Sequence, residues 1–214
     1  MASDPLQGTV PQGTDSPHHA DEQTLSTAIL SPSRDASVLD RVAAGSPPFP
    51  AAFSCLVPRL LRWAWKVIDS RPPDYVIQPD GHSLHSLYLE RWRVVESKLA
   101  GVKVHRVHRS DDDRALHDHP WTNLSIVLSG GYFEHRILAG GVHSRRWCGR
   151  GAIVWRRAKQ AHRLEVISGA PPTVTLFLTG PRLREWGFHC PNGWIRWQDF
   201  TLPNDKSRIG KGCG

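Results

Sequence analysis

Arg114-Ala-Leu-His117-Asp-His119-Pro-Trp121 decides how the chain is read, together with Ala161-His162-Arg163-Leu164 some forty residues later. In an extended strand alternate side chains point the same way, so the spacing places His117 and His119 on one face. Two imidazoles on one face do not close a metal site, and a third ligand has to come from a neighbouring strand. His162 lies in a second strand-like run, from Ala161 to Ile167, and is the candidate. Three neutral imidazoles suit Fe(II), Zn, Ni, Cu or Mn and leave coordination positions open for water, substrate or dioxygen.

Outward from that stretch the pattern is a succession of short strands. The sequence predicts strands over 87–95, 102–108, 123–128, 132–138, 152–156, 162–167 and 173–178. Turn chemistry separates them, as in Ser129-Gly130-Gly131 and Ala139-Gly140-Gly141. Short strands at regular spacing with no helical period between them indicate an all-β sandwich or barrel. Residues 181–200 add one or two irregular strands, with three tryptophans expected to close one end of the barrel. His105 and His108 are expected on the surface, and Asp111-Asp112-Asp113 in a solvated turn. Asn123-Leu-Ser125 matches a glycosylation sequon but falls in an expected core strand.

Before the strands, Phe53, Leu56, Val57, Leu60, Leu61, Ala64, Val67 and Ile68 recur at three- and four-residue spacing. This predicts an amphipathic helix, firm from Val57 to Asp69, with Pro58 in its first turn and Arg71-Pro72-Pro73 as its stop. Packing against the domain or against a second subunit is the ordinary use of such a face, which makes a homodimer one candidate assembly. Residues 1–50 are rich in Pro, Ser, Ala, Gly and Asp, and a segment so poor in large apolar residues reads as a disordered tail. The expected division is a tail over 1–50, helix and linker over 51–80, a β-barrel over 81–200 and a C-terminal tail without clear structure over 201–214.

Among 214 residues there is no apolar run long enough to cross a membrane as a helix, and no signal peptide is visible at Met1-Ala-Ser-Asp-Pro. Four cysteines, Cys55, Cys148, Cys190 and Cys213, form no C-x-x-C pair. That pattern is read as reduced thiols in a cytoplasmic protein. Residues 1–50 carry a net charge of −4 and the whole chain +7, which leaves +11 on residues 51–214. A basic domain attracts polyanions, nucleic acid included, although an arginine-rich soluble surface is the more ordinary meaning.

The histidine stretches resemble the two short metal-binding motifs of the cupin superfamily. That family's first motif is H-x-H, three or four residues, Glu, six residues and Gly; the second opens with Gly and places its His eleven residues later. His117-Asp-His119 is followed by Asn123 or Leu124 at the two permitted Glu positions, with Gly130 or Gly131 at the right distance. Gly151 and His162 satisfy the second spacing, while Arg157 and Lys159 replace the family's internal Pro and Gly. R-x-L-H-D-H-P-W and W-G-F elements are similar to those of uncharacterised bacterial and phage cupins. The resemblance implies a double-stranded β-helix jelly roll and a divalent metal, Fe(II) first, with Zn, Ni or Mn as alternatives. It implies no activity.

Where most metal-binding cupins supply a carboxylate, this chain has Asn123, a neutral donor, or Leu124; Glu134, past the Gly130-Gly131 turn, is a second candidate. A three-His site resembles those of thiol dioxygenases and some diketone-cleaving cupins, and a metal lacking its anionic ligand favours an anionic substrate. Tyr132, Glu134 and Arg136 share one strand face and are the candidates for proton transfer and substrate binding. Trp121 and Arg163 are further candidates for the site wall. Three classes remain open: a metal-dependent enzyme, foremost an Fe(II) oxygenase on a small molecule; a non-catalytic cupin that holds a small ligand; and a basic protein associated with nucleic acid.

Overall fold

Alternation along the strands builds the molecule, because every second side chain is committed to a different neighbour. The computed structural model describes residues 51–78, 87–111 and 115–214. The tail expected over 1–50 lies outside the described residues, as do Asp112, Asp113 and Arg114.

The largest sheet runs β1–β2–β3–β10–β5–β8 and is antiparallel at each pairing with a resolved register. Its strands are β1 (Tyr75–Ile77), β2 (Leu89–Glu96), β3 (Gly101–Val107), β5 (Asn123–Ser129), β8 (Ile153–Arg156) and β10 (Thr173–Thr179). Register fixes its two faces. Trp92 lies opposite Val104, Val104 opposite Leu176, and Leu176 opposite Ile126, forming one apolar row. Against that row packs α1 (Ala51–Ser70) through Val57, Ala64 and Ile68. The helix begins earlier than its periodicity predicts, so Pro58 falls inside it. There the missing N–H forgoes one backbone bond, and the apolar packing of the following turns offsets that loss.

The other face of the same sheet carries Arg91 opposite His105, His105 opposite Thr175, and Asn123 opposite Arg156. Facing it are two three-stranded sheets. One has β6 (Gly131–Ile137) between β7 (His143–Gly149) and β9 (Arg163–Glu165). The other has β11 (Gly187–Cys190) between β4 (Leu116–His117) and β12 (Gly193–Arg196). A single bridge between His117 and His162 joins the two. Leu89, Val107, Val127, Tyr132, Val154 and Val166 form an apolar core between the layers. Among the described residues this is the all-β jelly roll expected, but its strands form separate sheets and not a closed barrel.

Glycine is needed where β5 turns into β6. Gly130 has φ +70°, and a Cβ there would stand 2.8 Å from Thr173 Oγ1. That same oxygen accepts the Gly131 N–H at 3.0 Å and so ties the turn to β10.

The C-terminal stretch is structured, contrary to expectation. Residues 197–200 form the short helix α2 (Trp197–Phe200), followed by the hairpin β13 (Thr201–Leu202) and β14 (Asp205–Ile209). Phe200 stacks on Phe188 at 3.8 Å between ring centroids. Cys190 and Cys213 form a disulfide, which corrects the expectation of four reduced thiols; Cys55 and Cys148 are free. No described helix is long and apolar enough to cross a membrane.

Candidate metal centre

The H-D-H stretch is extended and its backbone bonds alternate. His117 exchanges both amide bonds with His162, at 3.0 and 2.9 Å, and His119 N–H reaches Ala158 O at 3.1 Å. Asp118 N–H points the other way, to Gly187 O at 3.0 Å. The two histidine side chains therefore turn inward and the aspartate turns away from them. Asp118 is buried on that opposite side, where it accepts hydrogen bonds from Gly187 N, Arg184 Nη1 and Trp194 Nε1 at 2.9, 2.5 and 3.1 Å. His189 Nε2 lies 3.2 Å from it. This carboxylate fastens β4 to the β11–β12 hairpin and so fixes the two histidines. Its role was hidden in the sequence, where the middle residue of H-x-H carries no signal.

His117, His119 and His162 converge as the spacing predicts, with one nitrogen of each within 4.8 Å of the others. His119 Nε2 and His162 Nε2 are 2.9 Å apart. Burial is the main cause holding the His119 and His162 imidazoles well below the usual histidine range, so both are neutral at pH 7. The donor set fits a divalent ion: two nitrogens each about 2.0–2.1 Å from one ion come to lie about 3 Å apart. His162 Nδ1 is buried without a hydrogen bond, 3.5 Å from Glu134 Oε1. With its proton on that nitrogen, His162 presents its Nε2 lone pair to the other two imidazoles.

Glu134 therefore stands behind a histidine and does not join the cluster of three. It is fully buried, and Arg156 Nε donates to its Oε1 at 2.6 Å. Arg156 stands in the basic, aromatic stretch Trp155-Arg156-Arg157 and was not among the expected site residues. Its side chain is 1% exposed and also donates to Asn123 Oδ1, Ser125 Oγ and Tyr132 Oη at 3.2, 3.2 and 3.3 Å. Burial opposes its charge, but Tyr132 and Glu134 outweigh burial and lift the guanidinium above its ordinary value. The alternation Ile153 out, Val154 in, Trp155 out, Arg156 in carried the signal, because a cation at an inward position requires a partner.

The remaining expected residues are placed as follows. Asn123 is buried, with its Oδ1 engaged by Arg156. Tyr132 is buried and lines the cavity; burial raises its phenol above the ordinary tyrosine value, so it keeps its proton. Arg136 Nη1 lies 3.8 Å from Glu134 Oε2 and is outside the cavity wall. His105 is buried, not on the surface as expected: it stacks on Phe177 at 4.7 Å and accepts Arg91 Nε at 3.0 Å. Asp111, expected in a solvated turn, is buried and accepts the Leu164 N–H at 2.7 Å, with its other oxygen 3.5 Å from His117 Nδ1.

The triad opens on a cavity of about 470 Å³ between the layers. Trp121, Trp186 and Trp197 are in its wall, with Trp186 stacked on Trp197 at 5.9 Å. Two facing antiparallel layers in this strand order, bridged at His117 and His162, decide the architecture. The fold is a cupin fold.

No family model matches the chain, and no curated protein does. Solved structures of similar fold include an uncharacterized conserved protein with a double-stranded β-helix domain from Klebsiella pneumoniae. It is 23% identical and covers 47% of this chain and 83% of its own, with a TM-score of 0.37. A DMSP lyase from Ruegeria pomeroyi is 17% identical over 53% of this chain and 57% of its own, with a TM-score of 0.40. A cupin superfamily protein from Desulfitobacterium hafniense is 10% identical over 44% and 77%, with a TM-score of 0.35. The cupin architecture stated above rests on strand order and register.

Proposed function

We propose that the chain is a metal-dependent cupin enzyme that acts on a small molecule, with His117, His119 and His162 as ligands of a divalent metal, Fe(II) foremost. The observation that carries this reading is the convergence of three imidazole nitrogens at the wall of a cavity large enough for a small substrate. When bound, the ion supplies a Lewis acid and, as Fe(II), redox chemistry with dioxygen at positions the protein leaves open.

The chain's own residues divide the remaining work. Glu134 Oε1, 3.5 Å from His162 Nδ1, favours the tautomer with the proton on that nitrogen, while Arg156 balances the carboxylate and holds Asn123, Ser125 and Tyr132 in one network. Tyr132 is the one of the three expected catalytic side chains that reaches the cavity, and its protonated phenol is a donor for an oxygen of the substrate. Trp121, Trp186 and Trp197 give the cavity an apolar wall beside the donor atoms.

Oxygen uptake by protein loaded anaerobically with Fe(II), measured over a panel of small carboxylic acids, tests the reading. Substrate-dependent uptake that disappears in His119→Ala supports it. Bound metal without turnover, with Zn, Ni or Mn as well, makes the protein a ligand-holding cupin instead.

A further inference from the structure

Among the described residues, charge on the cavity wall is not balanced, and the imbalance is localised. Arg156 has Glu134 as its partner and Arg182 has Glu185, at 2.6 and 2.5 Å. Arg91 has no carboxylate partner among the described residues. It is half-buried on β2, facing the space between the layers beside His105. Its Nε donates to His105 Nε2 at 3.0 Å, and its guanidinium carbon lies 5.5 Å from the Tyr75 ring centroid. Both Arg91 and His105 line the same cavity as the three histidines.

Such a cation is held in place at a cost. Withdrawal from water without an opposite charge is unfavourable, and a guanidinium does not relieve it by losing its proton near neutral pH. The geometry leaves a defined use for it. His105 accepts at Nε2, so that ring presents a lone pair there and stays neutral; burial, with the charges of Arg91 and Lys103, holds it well below the usual histidine range. Stacking on Phe177 fixes the ring, the ring fixes Nε, and the two terminal nitrogens remain as a planar fork. Arg93 adds a second cation to the wall. Among the described residues the one carboxylate in the wall is Asp111, whose Oδ1 accepts the Leu164 amide N–H and whose Oδ2 lies 3.5 Å from His117 Nδ1. Around these charges Tyr75, Tyr88, Trp121, Trp186 and Trp197 offer flat apolar surface.

We propose that Arg91 is the anion anchor of this cavity, positioned by His105, and that the ligand is a small molecule with a planar apolar body and one oxyanion group, carboxylate or phosphate. The proposal rests on the cavity being the substrate site and adds the class of substrate to it. The metal and the anchor are separate: one holds the reacting end, the other the charged end.

Calorimetric titration of the full-length, chelator-treated protein with phenylacetate, phenyl phosphate and phenylacetamide tests it. At least one anion is expected to bind at least 10-fold more tightly than the neutral amide, and which anion does so tells carboxylate from phosphate. Arg91→Met is expected to abolish the preference and Arg91→Lys to reduce it at least 3-fold, whereas Arg59→Met, at an exposed position of α1 outside the cavity wall, keeps it. Equal affinity for the amide and both anions in the wild type overturns the anchor, as does a preference that Arg91→Lys leaves unchanged. Should Arg91→Met not fold, by circular dichroism, the lysine variant and the wild-type comparison decide. Metal content measured in parallel separates the two claims, since a protein that takes up no metal yet keeps the anion preference loses the metal reading alone.

Discussion

Arg156 donates a 2.6 Å hydrogen bond to Glu134 across the space between the two layers, and both side chains are shut off from solvent. Removing Arg156 takes the nearest counter-charge from a buried carboxylate and leaves it Arg146 at 3.3 Å and Arg136 at 3.8 Å. Arg156→Met is expected to destabilise the fold by about 3–5 kcal/mol, and Arg156→Met/Glu134→Gln by clearly less than the sum of the single variants. Urea unfolding of the four proteins measures the coupling. Additive losses would mean that the pair does not act as a unit.

A second ion pair sets an acid dependence. Arg145, through two hydrogen bonds, and then His135 lower the Glu165 carboxyl from 4.5 to about 2. Because its folded-state value lies below its unfolded one, the contribution is full above about pH 4.5 and is lost as pH falls towards about 2. Glu165→Gln should therefore flatten the stability curve in that window. Thermal unfolding between pH 2.5 and 7 checks this, and an identical slope in both proteins would contradict it. Glu165 is partly exposed, so screening by salt should shrink the effect.

The fold was legible in the sequence wherever burial imposed alternation. The strands predicted over 102–108 and 173–178 match β3 and β10 to within a residue or two, because the helix-side and cavity-side residues of these strands differ in kind. What was missed is polar. His143-Ser-Arg-Arg-Trp-Cys-Gly149 forms β7, an edge strand whose side chains are largely exposed and so show no apolar period. The three histidines were legible because His117 and His119 alternate on one strand and His162 falls at the second motif's spacing from Gly151. Their supports were not: Arg156, Asp118 and His105 draw their roles from partners 22, 69 and 14 residues away in sequence.

The disulfide makes a direct chemical prediction. Of the four cysteines, two are free, and Cys148 is buried with its thiol raised above the ordinary value by burial. A thiol reagent should label Cys55 in the native protein and Cys148 only after unfolding. Cys190→Ser, which opens a link across 23 residues, should cost about 2–4 kcal/mol. Rapid native labelling of all four thiols would refute the bond.

Asp118 tests whether the metal site depends on its backing. Asp118→Ala strands the Trp194 and Arg184 donors and the Gly187 amide, with an expected loss of about 2–3 kcal/mol. Because β4 carries His117, zinc affinity should weaken about 10-fold. Competition with a chromogenic chelator reads this; unchanged affinity alongside lowered stability would show that the histidines are held without it.

The most direct measurement is elemental analysis of the protein purified without added metal or chelator, beside His117→Ala/His162→Ala. One equivalent of a divalent metal, iron foremost, is predicted in the wild type and none in the double variant. Equal metal in both, or none in the wild type even after anaerobic loading with Fe(II), would contradict the metal centre.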